Sequence, residues 1–134
     1  MALRYLGIDY GSKRVGLAVG DAEAKLARPL VTLDGRTDLV EQLHRICDEQ
    51  TVGTIIMGLP RGLDGQETAQ TVVVRGRFVE LRQALPQFQW YYQDEAVTSE
   101  LARERLLARG ESTTDGAVDR EAAAIILQDY LDLL

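Results

Sequence analysis

The order of the apolar runs limits this chain more than any other feature. Three β-type segments come first, with no space between them for a helix, and only afterwards do strands and helices alternate. Leu3 to Asp9 and Val15 to Val19 read as strands joined by the turn Tyr10-Gly11-Ser12, with Pro29 to Leu33 a weaker third. Thr37 or Asp38 then caps a helix whose apolar stripe is Leu39, Leu43, Ile46 and Cys47. Val52 to Pro60 is a short β-branched run ended by Gly-Leu-Pro, hence a buried strand. A long helix carries Val74, Phe78, Leu81 and Leu85 before Pro86, and Gln87 to Tyr92 is an aromatic strand that runs into Asp94-Glu95. Thr98 or Ser99 caps a helix to about Ala108. Asp119 opens a last one with Ala122, Ala123, Ile126, Tyr130 and Leu133 or Leu134 on one side. The order β-β-β-α-β-α-β-α-α predicts an α/β fold, a mixed sheet covered by helices. Its first three strands are antiparallel neighbours, and the later ones are joined by crossovers long enough for parallel pairing.

At 134 residues the chain is read as one domain spanning 1–134. No run approaches the roughly 18 apolar residues of a membrane span. Arg4 and Asp9 interrupt the only apolar stretch near the start, which argues against a secretory leader. The single cysteine, Cys47, has no partner for an internal disulfide, so a reduced cytoplasmic setting is expected. The net charge of -6 argues against sequence-independent nucleic-acid binding by bulk electrostatics. Nearly all the positive charge is arginine, however: Lys13 and Lys25 are the only lysines, and arginine forms two-pronged contacts with phosphate.

Three carboxylates stand out by position. Asp9 closes a strand that Leu6 and Ile8 mark as buried, where a charge must be solvated, paired or bound to a cation. Glu95 leaves the fifth strand just before a helix. Asp119 heads the apolar stripe of the last helix, whose Ala122 and Ala123 allow close approach to the sheet. Taken singly, each has an ordinary alternative: a turn aspartate, an acid at the positive end of a helix, an N-cap. Together they are oxygen ligands delivered by two strand ends and a helix start, the hard anionic set that suits Mg²⁺ or Mn²⁺. His44, the only histidine, is expected at the surface of the first helix, which leaves no basis for a histidine triad or a zinc cluster.

Four segments, "GIDYGSKRVGLAVGD" (7–21), "GLPRGLDGQETAQT" (58–71), "YQDEAVTS" (92–99) and "VDREAAAIILQDYL" (118–131), resemble the bacterial Holliday-junction-resolvase-like family, also described as a pre-16S rRNA nuclease family. The resemblance implies a ribonuclease H-like fold, a five-stranded mixed sheet with helices on both faces. It implies metal-dependent nuclease chemistry at Asp9, Glu95 and Asp119, with Asp9 bridging two ions and the other two completing the shell. From their positions, Lys13, Arg14 and Arg61 are expected to contact phosphates. Two features depart from the family pattern. Ala96 stands where an arginine usually follows Asp-Glu, and the loop 109–118 carries Arg109 alone as positive charge.

The expected function is cleavage of structured nucleic acid, with precursor 16S rRNA favoured over four-way DNA junctions. Cutting two strands of a junction favours a symmetric dimer, and no strong dimerisation stripe is visible, so a monomer or weak homodimer is expected. Two other readings stand beside it. One is a nucleotide-binding ATPase half of the actin and sugar-kinase type, suggested by Asp-Tyr-Gly-Ser after a strand. The other is a non-catalytic ribosome or transcription module.

Overall fold

A computed structural model describes residues 3–134. Its element order is β1 (Arg4–Tyr10), β2 (Arg14–Asp21), β3 (Leu26–Asp34), α1 (Leu39–Gln50), β4 (Val52–Pro60), α2 (Ala69–Ala84), β5 (Gln89–Glu95), α3 (Thr98–Ala108) and α4 (Ala117–Asp132). The strands form one sheet in the order β3-β2-β1-β4-β5. β1–β2 and β2–β3 pair antiparallel, while β1–β4 and β4–β5 pair parallel. This is the mixed sheet expected from the run order. β3 is longer than its weak apolar pattern indicated, because the hairpin with β2 supplies partners from Leu26 onward. No helix among the described residues is long and apolar enough to cross a membrane.

Alternation along the strands sends two sets of side chains to opposite faces. Leu6, Ile8, Leu17, Ile55, Met57 and Trp90 pack with Leu39 and Leu43 of α1 and Val74, Phe78 and Leu81 of α2. Ala18 and Ile56 pack on the other face with Ala123, Ile126, Leu127 and Leu131 of α4. α3 lies outside α4, joined to it through Ala102, Ala122 and Ile125. Helices thus cover both faces. Cys47 is buried and His44 is exposed on α1, as expected.

The α4 face is made for close approach. A Cβ on Gly16 would fall 2.0 Å from the carbonyl oxygen of Asp119, and one on Gly58 would fall 2.4 Å from Ile126 Cδ1. Gly16 therefore admits the α4 backbone. Gly11, in the turn between β1 and β2, has no positive φ; a Cβ there would crowd the Arg14 carbonyl at 2.7 Å.

Helix ends differ from expectation in three places. α3 starts after Val97, itself left-handed at φ 48°, and no side chain caps it. α4 starts at Ala117 behind left-handed Gly116, so Asp119 sits in the first turn and not at the N-cap. The buried stripe of α4 ends at Leu131, and Leu133 and Leu134 are exposed. α2 is fixed more firmly. Thr68 and Thr71 form a reciprocal capping box, and the buried Thr71 hydroxyl donates to the carbonyl of Pro60, tying α2 to the end of β4.

Candidate active site

β1, β4 and β5 run in parallel, so their C-terminal ends share one edge of the sheet. β4 lies between the other two, with Ile8 beside Met57 and Glu95 beside Pro60. The β1 and β5 backbones are therefore about 10 Å apart, two strand spacings. Leu6 and Ile8 face α1 and α2, as do Trp90 and Phe78-stacked Tyr92. Alternation then turns Asp9 and Glu95 to the α4 side. Gly58 between them has no side chain and receives Ile126 of α4, while Asp119, whose carbonyl lies against Gly16 of β2, comes in from the β2 side of Asp9. Asp9, Glu95 and Asp119 line one cavity of about 380 Å³, with Arg61, Thr98 and Ser99 among the other residues of its wall.

The electrostatics of this cavity are those of crowded acids. Burial first, and then the Asp119 charge, push the Asp9 carboxyl up to about 7. Glu95 is pushed up to about 8, by burial first and then by Asp129. Thr98 opposes that rise by donating its hydroxyl to Glu95 Oε2 at 3.1 Å. Glu95 Oε1 is buried and has no hydrogen-bond partner. A buried carboxylate oxygen without a partner is costly, and a cation would satisfy it. The donor set, all carboxylate oxygen, fits Mg²⁺ or Mn²⁺. As the side chains stand, no three acids, histidines or cysteines among the described residues close around a single point.

The cationic residues expected to contact phosphates differ in their partners within the protein. Arg14 Nε lies 2.8 Å from Asp119 Oδ2, so this arginine is paired with a site acid through one nitrogen while its side chain stays largely exposed. Arg61 reaches Asp94 at 3.4 Å and Glu67 at 3.8 Å while lining the carboxylate cavity. Lys13 is exposed and lines a second cavity of about 700 Å³, which shares Ser99 and Asp119 with the first. Arg109 is taken up structurally. Its guanidinium grips both oxygens of buried Glu121 at 2.7 and 3.3 Å.

Four participants escaped the reading of the sequence. Thr98 looked like a helix cap but holds Glu95, and its place three residues after that acid was the available signal. Asp129 follows Ile126 by three positions, nearly one helical turn, and Ile126 is the residue that meets Gly58. Arg36 and Arg103, which line the larger cavity, had no local signal.

Comparisons with known proteins agree with this architecture. The RuvX family model, described as a Holliday junction resolvase, matches residues 3–133. A Chlorobaculum tepidum protein bearing the name "Putative pre-16S rRNA nuclease" is 36% identical, covering 96% of this chain and 93% of that protein. One of the same name from Gloeothece citriformis is 39% identical, covering 95% and 86%. Among solved structures, the fowlpox virus resolvase with Holliday junction DNA aligns at a TM-score of 0.61 and 8% identity, covering 98% of each chain. T. thermophilus RuvC in complex with a Holliday junction substrate aligns at 0.57 and 14% identity, covering 98% of this chain and 95% of that one. These distant structures establish the ribonuclease H-like, resolvase type of fold. The chain belongs to the RuvX family, the Holliday-junction-resolvase-like proteins whose relatives carry the pre-16S rRNA nuclease name.

Proposed function

We propose that this protein is a divalent-metal-dependent endonuclease that cuts phosphodiester bonds in structured RNA, maturing the 5′ end of precursor 16S rRNA in the cytoplasm. The observation that carries the reading is the meeting of Asp9, Glu95 and Asp119 in one cavity, with Glu95 Oε1 buried and unpartnered. Asp9, Glu95 and Asp119 would hold Mg²⁺ or Mn²⁺, which when bound polarises the scissile phosphate and activates water. The chain's own groups set the stage for that chemistry. Asp9 gives up its proton near neutral pH, Thr98 fixes one oxygen of Glu95, and Arg14 balances the charge of Asp119. Arg61, at the rim of the cavity, is placed to meet a phosphate once it leaves Asp94. The relatives' names favour an RNA substrate.

The description of the family favours a second reading, resolution of four-way DNA junctions. Two cuts need two copies of the site, hence a homodimer, whereas the RNA reading is met by a monomer or weak homodimer. Purified precursor 16S rRNA and a synthetic four-way junction, each incubated with and without Mg²⁺ or Mn²⁺, separate the two. Cleavage of the rRNA alone, lost in Asp9→Asn, is expected. No metal-dependent cleavage of either substrate would leave a non-catalytic binding module.

A further inference from the structure

The two cavities that meet at Asp119 carry opposite charge. The smaller is walled by Asp9, Glu95, Glu100 and Asp119 against Arg61 alone. The larger is walled by Lys13, Arg14, Arg36 and Arg103 against Asp34, Asp115 and Asp119. A chain of net charge -6, with only 15 basic residues, thus gathers four of them around one groove beside its acids.

These cations come from separate parts of the fold. Lys13 lies in the β1–β2 turn, Arg36 just past β3, and Arg103 one turn after Ser99 on α3. Arg36 is set in place by Asp34, whose two oxygens it meets at 3.0 and 3.2 Å. Lys13 and Arg103 are exposed and make no ion pair among the described residues. Cations without protein counterions, flanking a cavity open to solvent, are suited to an external polyanion.

We propose that this groove is the path of the single strand flanking the scissile bond, with Lys13, Arg36 and Arg103 contacting its phosphodiesters. The inference rests on the nuclease reading of the carboxylate cavity. A phosphodiester chain crossing Asp119 would place one phosphate among the acids, where cations gather, and its neighbours among the basic residues. That arrangement accounts for two adjoining cavities of opposite sign. It also places positive charge near the site although the loop 109–118 supplies none: its single arginine is bound to Glu121.

The test is fluorescence anisotropy with labelled single strands of RNA and of DNA of one sequence, in EDTA so that no cleavage intervenes. Lys13→Ala combined with Arg103→Ala is expected to weaken binding about tenfold at low salt and to flatten the salt dependence by about 0.7 per lost contact. The tighter of the two arms identifies the strand. Arg45→Ala with Arg82→Ala, on α1 and α2 across the sheet, is expected to bind as the native protein does. An equal loss in that control, an unchanged affinity and slope in the Lys13/Arg103 variant, or no native binding at low salt would each overturn the groove. Cleavage with Mn²⁺ is measured separately. Strand binding through Lys13 and Arg103 without any cleavage would sink the nuclease reading and leave the groove standing. Cleavage with undiminished binding by the variant would do the reverse.

Discussion

Arg14 holds Asp119 at 2.8 Å, across the opening between β2 and the first turn of α4. The arginine side chain is about two-thirds exposed, so the pair adds little to stability, about 1 kcal/mol at most. Its effect is expected on cation binding, since a metal entering at Asp119 must compete with a guanidinium already there. Arg14→Met should therefore raise Mn²⁺ affinity by about fivefold, the equivalent of about 1 kcal/mol. Thermal midpoints across a Mn²⁺ titration measure this. The native midpoint should rise with Mn²⁺, and Asp119→Asn should remove much of the rise. A flat native response over a wide range of metal would count against the carboxylate site.

The raised pKa values of Asp9 and Glu95 set a pH dependence. In the folded protein these acids keep their protons up to about 7 and about 8, whereas an unfolded chain releases them near 3.8 and 4.5. The folded state therefore binds more protons in that interval, and metal-free stability should fall as pH rises from about 4 to about 8. Asp9→Asn should flatten the lower part of this slope. Because ligation requires ionised carboxylates, the Mn²⁺-induced gain in midpoint should be larger at pH 8 than at pH 5.5. Melting curves in EDTA and in Mn²⁺ at several pH values test both trends. Rising metal-free stability over the interval would contradict the burial of these acids.

Gly16→Ala is expected to cost about 3 kcal/mol, because its methyl would lie 2.0 Å from a backbone oxygen that cannot rotate away. The more specific effect falls on Asp119, which belongs to that backbone. The variant should lose Mn²⁺ stabilisation along with stability. Gly76→Ala, where the added carbon meets nothing within 4 Å, is the control and should be neutral or better. Urea unfolding with and without Mn²⁺ reads both effects.

Arg109→Ala should destabilise the fold by about 2 kcal/mol, since it leaves the carboxylate of Glu121 buried without its partner. The arginine is half exposed, which keeps the loss below that of a fully buried pair. Arg109→Ala with Glu121→Leu should recover much of the loss. An equilibrium denaturation cycle over the four proteins tests the coupling.

The order of elements along the chain and the parallel strands whose ends share one edge were legible in the sequence for physical reasons. β-branched and aromatic runs bounded by Gly, Pro and Asp leave few alternatives, and parallel strands bring their C-terminal ends to the same side. Asp9 and Glu95 could thus be placed from the chain itself. Asp119 was found as the head of an apolar stripe, but its position in the helix was misjudged: left-handed Gly116 starts α4 inside a stretch that reads as polar loop. Which acid a flexible guanidinium would choose was beyond local pattern, and Arg14 and Arg61 both went to carboxylates. The groove of Lys13, Arg36 and Arg103 was hidden for a related reason. It is assembled from segments that meet only in three dimensions, and none carries a motif.

The glycine seats beneath α4 turn that helix into a key cut for one lock. An extra residue inserted between Asp119 and Ile126 would rotate one relative to the other by about 100° and shift it by about 1.5 Å. If Ile126 stayed seated over Gly58, Asp119 would swing away from Asp9; if Asp119 stayed, the hydrophobic half of the helix would turn outward. Divergence in this fold is therefore freer in the loops at either end of α4 than in the number of residues within it.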